Sequence, residues 1–391
     1  MSAAQGFLFL LLLLGLAATA LRLVSRTAPV VPYPVLLAAG GILIGLVPGL
    51  RLPPVGPDLF LLAFVPGLVF EASLSLDLEE LRRRLLPVSL LATAGVLVTV
   101  VVIAALARLV LRLDWPAGFL LGAIVAATDP IAVVNLLRQV GAPRGLEAIL
   151  DGESLFNDGT GVALFAAVLG TILTGHPSAG DAVVRFVFVT VAGAAIGFAA
   201  GVAATLLLRT VHDAELEILV TLVLAYGSYL LADLVHASGV VAVVMAGIVV
   251  ARSVQGTQLH GFWRLVAFVL NAILFLLVGA ALPTHRLLAV AGLVVAGYVI
   301  MSLARAVAVY GILGAVDLRA RSIPWRWRHM TVWGGIRGAL SVALALSVAQ
   351  YPQVPAQVSV VAYGMVVLSL LVQGGLLLPL AGLLRLRSKA T

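Results

Sequence analysis

Apolar residues run in long blocks along this chain, separated by short clusters of Arg, Pro, Gly and acidic residues. The blocks are about 20 residues long and lack the roughly 10-residue alternation of an outer-membrane barrel, so they predict bilayer-spanning helices. Bounded by charge, Pro and Gly, they give thirteen spans, near 6–24, 31–48, 59–76, 86–108, 116–138, 147–173, 182–208, 215–234, 238–252, 264–282, 288–314, 329–349 and 357–384. The ninth, 238–252, is short. Composition agrees: 62% of residues are hydrophobic and 10% charged, against about 25% charged in a soluble domain. Mean hydropathy is +1.17. The fold class predicted is an all-α polytopic membrane protein.

A net charge of +7 is compatible in principle with nucleic-acid binding, but the positions of the charges point to a membrane topology. With the N-terminus outside, 17 basic residues fall on the cytoplasmic side, among them Arg22, Arg82, Arg138, Arg264, Arg326 and Arg385. Only Arg51, Arg108, Arg112 and Arg286 face out, and Arg185, Arg305 and Arg337 fall inside spans, so 17, 4 and 3 account for all 24. This asymmetry follows the positive-inside rule and predicts a cytoplasmic C-terminus in a prokaryotic plasma membrane. Ala18 to Ala20 resembles a signal-peptide cleavage site, but no basic residue precedes the first run, which favours a retained outside-to-inside anchor. With no cysteine there is no disulfide framework, and no cofactor is expected.

Charged side chains at membrane depth are costly and mark ion paths or buried pairs. The fifth span contains Ala127-Thr128-Asp129-Pro130. Proline removes a backbone donor and frees carbonyls upstream, which predicts either a simple kink or a helix break lining a cation site, and the adjacent Asp129 favours the break. In the sixth span Glu153 and Asn157 form one i,i+4 ridge and Ser154 and Asp158 the next. Asp158 lies roughly 16 Å into a hydrocarbon core about 30 Å thick. Its carboxylate suits a hard cation or a proton. Asn157 reads as support for a neighbouring break and Glu153 as partner of a buried arginine. The twelfth span supplies that arginine: Arg337 follows Gly334 and Gly335 and precedes Gly338. Arg337 therefore either pairs with a carboxylate, for which Glu153 is the expectation, or snorkels to headgroups. Arg305 reads the same two ways. Glu71, closing the third span, is either an interfacial residue or an aid at the cytoplasmic entrance. Asp233 reads as interfacial. All six histidines fall in loops or at span ends, so carboxylates must carry any central proton step.

If the seventh span is a linker, spans 1–6 and 8–13 form two six-helix repeats of opposite orientation, and the interrupted fifth and twelfth spans occupy equivalent places. Paired breaks in inverted repeats point to a transporter site at the bilayer midplane. Four segments, FEASLSLDLEEL (70–81), ATDPIAVV (127–134), GESLFNDGTGVALF (152–165) and GGIRGALS (334–341), resemble the prokaryotic Na⁺/H⁺ antiporters of the cation:proton antiporter-1 group, often called NhaP-type. The resemblance implies that Asp158 is the central ion and proton carboxylate, completed by Ser154 and the backbone at Thr128. It further implies that Asp129 and Asn157 stabilise crossed helix breaks, that Glu153 pairs with Arg337, and that Glu71 contributes near the entrance. An Asn157-Asp158 pair in place of two aspartates resembles electroneutral exchangers. The chain ends soon after the last span, so the regulatory tails of parts of the superfamily are not expected.

The expected mechanism is alternating access, with Na⁺ (or Li⁺) and H⁺ competing for Asp158 in a 1:1 exchange serving pH homeostasis. The resemblance implies a homodimer in which residues 1–80 and 213–285 form a scaffold and 86–175 and 288–385 a transport core, joined by the 182–208 linker helix. A K⁺/H⁺ antiporter of the same superfamily remains an alternative reading, as does a cation channel lined by the same acids. An intramembrane aspartyl hydrolase fits less well, since Asp129 is followed by a helix break, and neither HExxH nor an intramembrane Ser/His pair occurs.

Overall fold

Helices occupy the apolar runs in the computed structural model, which describes residues 3–27, 31–47, 60–175, 178–210, 213–253, 257–281, 287, 289–320 and 323–386. Of the chain's basic residues and histidines, Arg51, His176, His212, His285, Arg286, Arg321, Arg387 and Lys389 lie outside these. In chain order the helices are α1 (Ala3–Thr27), α2 (Tyr33–Gly45), α3 (Leu61–Leu74), α4 (Leu78–Arg83), α5 (Leu85–Leu111), α6 (Trp115–Ile124), α7 (Ile131–Gln139) and α8 (Arg144–Leu173). There follow α9 (Ala179–Leu208), α10 (Ala214–Leu234), α11 (Gly239–Ala251), α12 (Thr257–Ala280), α13 (Ala291–Ala320), α14 (Trp325–Trp333), α15 (Ala339–Ser347) and α16 (Ala356–Leu383). Among the described residues, seven stretches, within α5, α8, α9, α10, α12, α13 and α16, are each long and apolar enough to cross a membrane. The shorter apolar helices include α2, α3, α6 and α11.

The fifth and twelfth runs are each broken. Pro130 cannot donate to the preceding turn, and the chain leaves helical geometry between α6 and α7. Asp114 starts α6 by accepting the Ala117 N–H (3.1 Å), which fixes where this first half-helix begins. In the twelfth run the glycines release the chain between α14 and α15. Gly338 sits where a Cβ would come within 2.4 Å of the Asp129 Cβ, so glycine is what lets the two breaks cross. α8 is the central element and packs against α5, α6, α9 and α11.

Small residues set two other helix contacts. Gly193, Gly197 and Gly201, spaced i,i+4,i+8 on α9, meet α11: a Cβ on Gly197 would lie 2.0 Å from the Ala242 carbonyl oxygen. The same close approach joins α2 to α12, where a Cβ on Gly279 would lie 2.1 Å from the Ala38 carbonyl oxygen. Without a hydrophobic force between helices in lipid, such backbone proximity is what holds them. Gly197→Ala is therefore expected to force α9 off α11 at a cost of about 1–3 kcal/mol. Gly227, with open space at its Cβ position, should gain up to about 1 kcal/mol of helix propensity on the same change. Unfolding midpoints of the two variants in detergent check the opposite signs.

Candidate functional site

The crossing of the two breaks is held by backbone. The Asp129 N–H donates to the Ile336 carbonyl (2.7 Å), and the Ser341 hydroxyl reaches the Ala127 carbonyl (3.4 Å). Four half-helix ends thus face one another: the C-terminal ends of α6 and α14, with exposed carbonyls, and the N-terminal ends of α7 and α15, with free N–H groups. Asp129 lies at the N-terminal ends, beside Pro130 and against Gly338. Its carboxylate is placed where negative charge is stabilised.

α8 ties this crossing to its own polar face. Asn157 Oδ1 accepts the Thr128 N–H (3.2 Å) and its Nδ2 donates to Thr128 Oγ1 (2.8 Å). The Ser154 hydroxyl donates to the Thr128 carbonyl. The two ridges expected from the sequence differ in whether they line a cavity. Glu153 and Asn157 are sealed at 1% exposure, whereas Asp158 is part-exposed and lines a cavity of about 580 Å³ together with Glu71, Thr128, Asp129 and Ser154. Arg138, Asp151 and Arg264 lie farther along the same lining, with Asn271 and Ser341 adding amide and hydroxyl groups. Arg138 bonds Asp151 (3.2 Å) and faces Glu147 (3.5 Å). Glu71 accepts from the Ser75 hydroxyl (2.8 Å). None of the described histidines lines this cavity, and Asp233 is exposed at the end of α10.

The expected Glu153–Arg337 pair does not form; Glu153 pairs with Arg305. Arg305 Nη2 lies 2.8 Å from Glu153 Oε2 and Nη1 bonds Oε1, with both side chains under a tenth exposed. Nη2 also donates to the Thr331 carbonyl (3.0 Å). Gly335 makes room, since a Cβ there would lie 2.7 Å from Arg305 Nε. Arg337 is no snorkelling residue: it is 1% exposed, with Nη1 facing the Ala126 carbonyl (3.4 Å) and Nε the Met301 sulfur (3.3 Å). Its backbone N–H donates to Ser369 Oγ (3.1 Å), which in turn donates to Gln373 Oε1 (2.6 Å) in a π-helical turn of α16. The two arginines therefore do related work at different places. Arg305 meets a carbonyl at the C-terminal end of α14 and Arg337 one just past the C-terminal end of α6, and each opposes the negative end of a half-helix.

In chemical terms, the cavity ends on carboxylate, hydroxyl and backbone carbonyl oxygens, the donors that suit a hard cation, and its deepest carboxylates can also hold a proton. The Na⁺/H⁺ antiporter ApNhaP of Aphanothece halophytica is 33% identical over 378 residues, 94% of this chain and 72% of that protein. The Na⁺/H⁺ antiporter NhaP of Pseudomonas aeruginosa is 36% identical over 330 residues, 80% of this chain and 77% of that protein. The fold is that of the sodium proton antiporter MjNhaP1 from Methanocaldococcus jannaschii, with a TM-score of 0.77 at 20% identity over 97% of this chain and 98% of that one. Residues 8–382 match the description "sodium/hydrogen exchanger, transmembrane", and the chain belongs to that family.

Proposed function

We propose that this protein is a secondary transporter, not an enzyme, that exchanges Na⁺ or Li⁺ for H⁺ across the prokaryotic plasma membrane by alternating access, without a cofactor. The observation that carries the reading is the single cavity whose lining joins Asp158 and the crossed helix breaks to Arg138, Asp151 and Arg264. Arg138 and Arg264 mark its mouth as cytoplasmic under the positive-inside orientation, with the N-terminus outside and the C-terminus inside. Asp158 is the group for which cation and proton compete. The Thr128 carbonyl and the Ser154 hydroxyl complete the cation's oxygen shell once Ser154 turns from the carbonyl to the ion. Asp129 and Asn157 hold the half-helix ends in place, and Glu71 draws cations into the cavity.

Residues 86–175 and 288–385 act as the moving core, 1–80 and 213–285 as a dimerising scaffold, and 182–208 as the linker. In support, the cavity lies between the two groups: Glu71 and Asn271 line it from one, Thr128, Asp158 and Ser341 from the other. Competition at one carboxylate makes the exchange electroneutral at 1:1, since the site carries either one cation or one proton. The test is exchange in proteoliposomes with Na⁺, Li⁺ or K⁺, with and without an imposed membrane potential. The expected result is Na⁺- and Li⁺-driven proton movement whose rate is unchanged by the potential. K⁺ as the preferred ion would make it a K⁺/H⁺ antiporter, and conductance without proton coupling would make it a channel.

A further inference from the structure

A second cavity, of about 360 Å³, lies where α8 and α14 begin and α16 ends, and shares no lining residue with the first. Trp325, Trp327 and Leu386 wall it, and Arg326 and Arg385 contribute its charge. Its lining includes no carboxylate. The neighbouring acids are already engaged: Asp317 by Arg328, Glu147 by Arg138 and Glu80 by Arg84. Among the described residues no acid lies within ion-pair distance of Arg326 or Arg385. Both arginines are exposed. The Arg326 guanidinium stands 5.7 Å from the Trp325 ring centre, and a left-handed turn (φ +46°) at Arg385 ends α16 beside the cavity.

We propose that this cavity binds the headgroup of an anionic phospholipid. Two guanidiniums with no carboxylate partner among the described residues, that of Arg326 set over an indole, supply charge complementarity to a phosphodiester, which Arg meets with paired N–H donors. A lipid fits better than a soluble phosphate because apolar surface is exposed at the cavity: the lining residue Trp325 is 56% exposed, and Leu383, two residues before Arg385, is 81% exposed. Indoles concentrate at the membrane–water boundary, and basic pockets between spanning helices on the cytoplasmic side take anionic headgroups. The leaflet assignment rests on the orientation proposed above; the binding itself does not. A lipid held here touches α14 and the end of α16, so it would tether the proposed moving core to the leaflet.

The experiment is native mass spectrometry of the purified protein in neutral detergent, titrated separately with dioleoylphosphatidylglycerol, dioleoylphosphatidylcholine and inorganic phosphate. Phosphatidylglycerol is expected to bind about 25-fold more tightly than phosphatidylcholine, at about fivefold per arginine. Arg326→Gln/Arg385→Gln should bring it to the phosphatidylcholine level, and Arg326→Lys/Arg385→Lys, which keeps the charge without the paired donors, should retain part of the preference. An unchanged unfolding midpoint shows that the glutamine variant is folded; if it is not, the lysine variant and the comparison of lipids on the unaltered protein decide. Equal binding of the two lipids, full phosphatidylglycerol binding by a folded glutamine variant, or phosphate binding without lipid preference would each overturn the proposal. This readout requires neither exchange activity nor a particular orientation, so it fails independently of the antiport reading.

Discussion

Asp158→Asn is expected to reduce cation-dependent dissipation of a pH gradient in proteoliposomes to the level of empty vesicles. The substitution preserves shape and polarity and removes only the ability to take up a proton or balance a cation. No neighbour offers the same combination: Asp129 is built into the crossing through its backbone bond to Ile336, and Asp151 is bonded to Arg138. Ser154→Ala is a graded comparison. It removes one oxygen beside Thr128 while leaving Asp158, so exchange should persist with the half-saturating cation concentration raised about tenfold, the equivalent of about 1.4 kcal/mol. Competition also sets the sign of the pH effect. Lowering pH fills Asp158 with protons, so the half-saturating Na⁺ concentration should rise as pH falls, by up to about tenfold per unit where the proton dominates. Retained exchange in Asp158→Asn rules the residue out as carrier.

The helices and the two breaks were legible because their causes are local. Run length and charge asymmetry mark spans, and Asp129-Pro130 and Gly334-Gly335 are short-range instructions to leave helical geometry. The separation of α8 into a sealed and a cavity-facing side was only half legible. Spacing puts Glu153, Ser154, Asn157 and Asp158 near one another, but which of them meets the cavity depends on how α8 is rotated against the crossing. The partner of Glu153 was not legible at all. Arg305 and Glu153 are 152 positions apart, and two arginines were available in the later spans. The glycine-rich opening at 334–338 signals a close approach without saying what approaches. At Gly335 it is the Arg305 side chain, and at Gly338 it is Asp129. The cavity-lining Asn271 and Ser341 were missed because neutral polar residues in a span carry no charge signal.

The Arg305 assignment predicts a large and specific coupling. Glu153→Gln leaves a buried guanidinium without its carboxylate, and Arg305→Gln leaves the carboxylate without its cation. Each is expected to cost about 3–5 kcal/mol, seen as a lower unfolding midpoint in detergent. The double variant should be far less destabilised than the sum, with a coupling of up to about 3 kcal/mol, because neither member of that pair is then left buried without the other. Pairing Glu153→Gln with Arg337→Gln should give a much smaller coupling, since Arg337 meets a carbonyl and a thioether and not the carboxylate. A larger coupling to Arg337 than to Arg305 would restore the pairing expected from the sequence. The consequence reaches function: Glu153 on α8, Arg305 on α13 and the Thr331 carbonyl on α14 form one buried cluster, joining three helices of the proposed core. If those helices move as a body, folded variants that loosen the cluster should slow exchange while Asp158 still binds the cation. Turnover should then fall with little change in half-saturation, the opposite of the Ser154→Ala pattern.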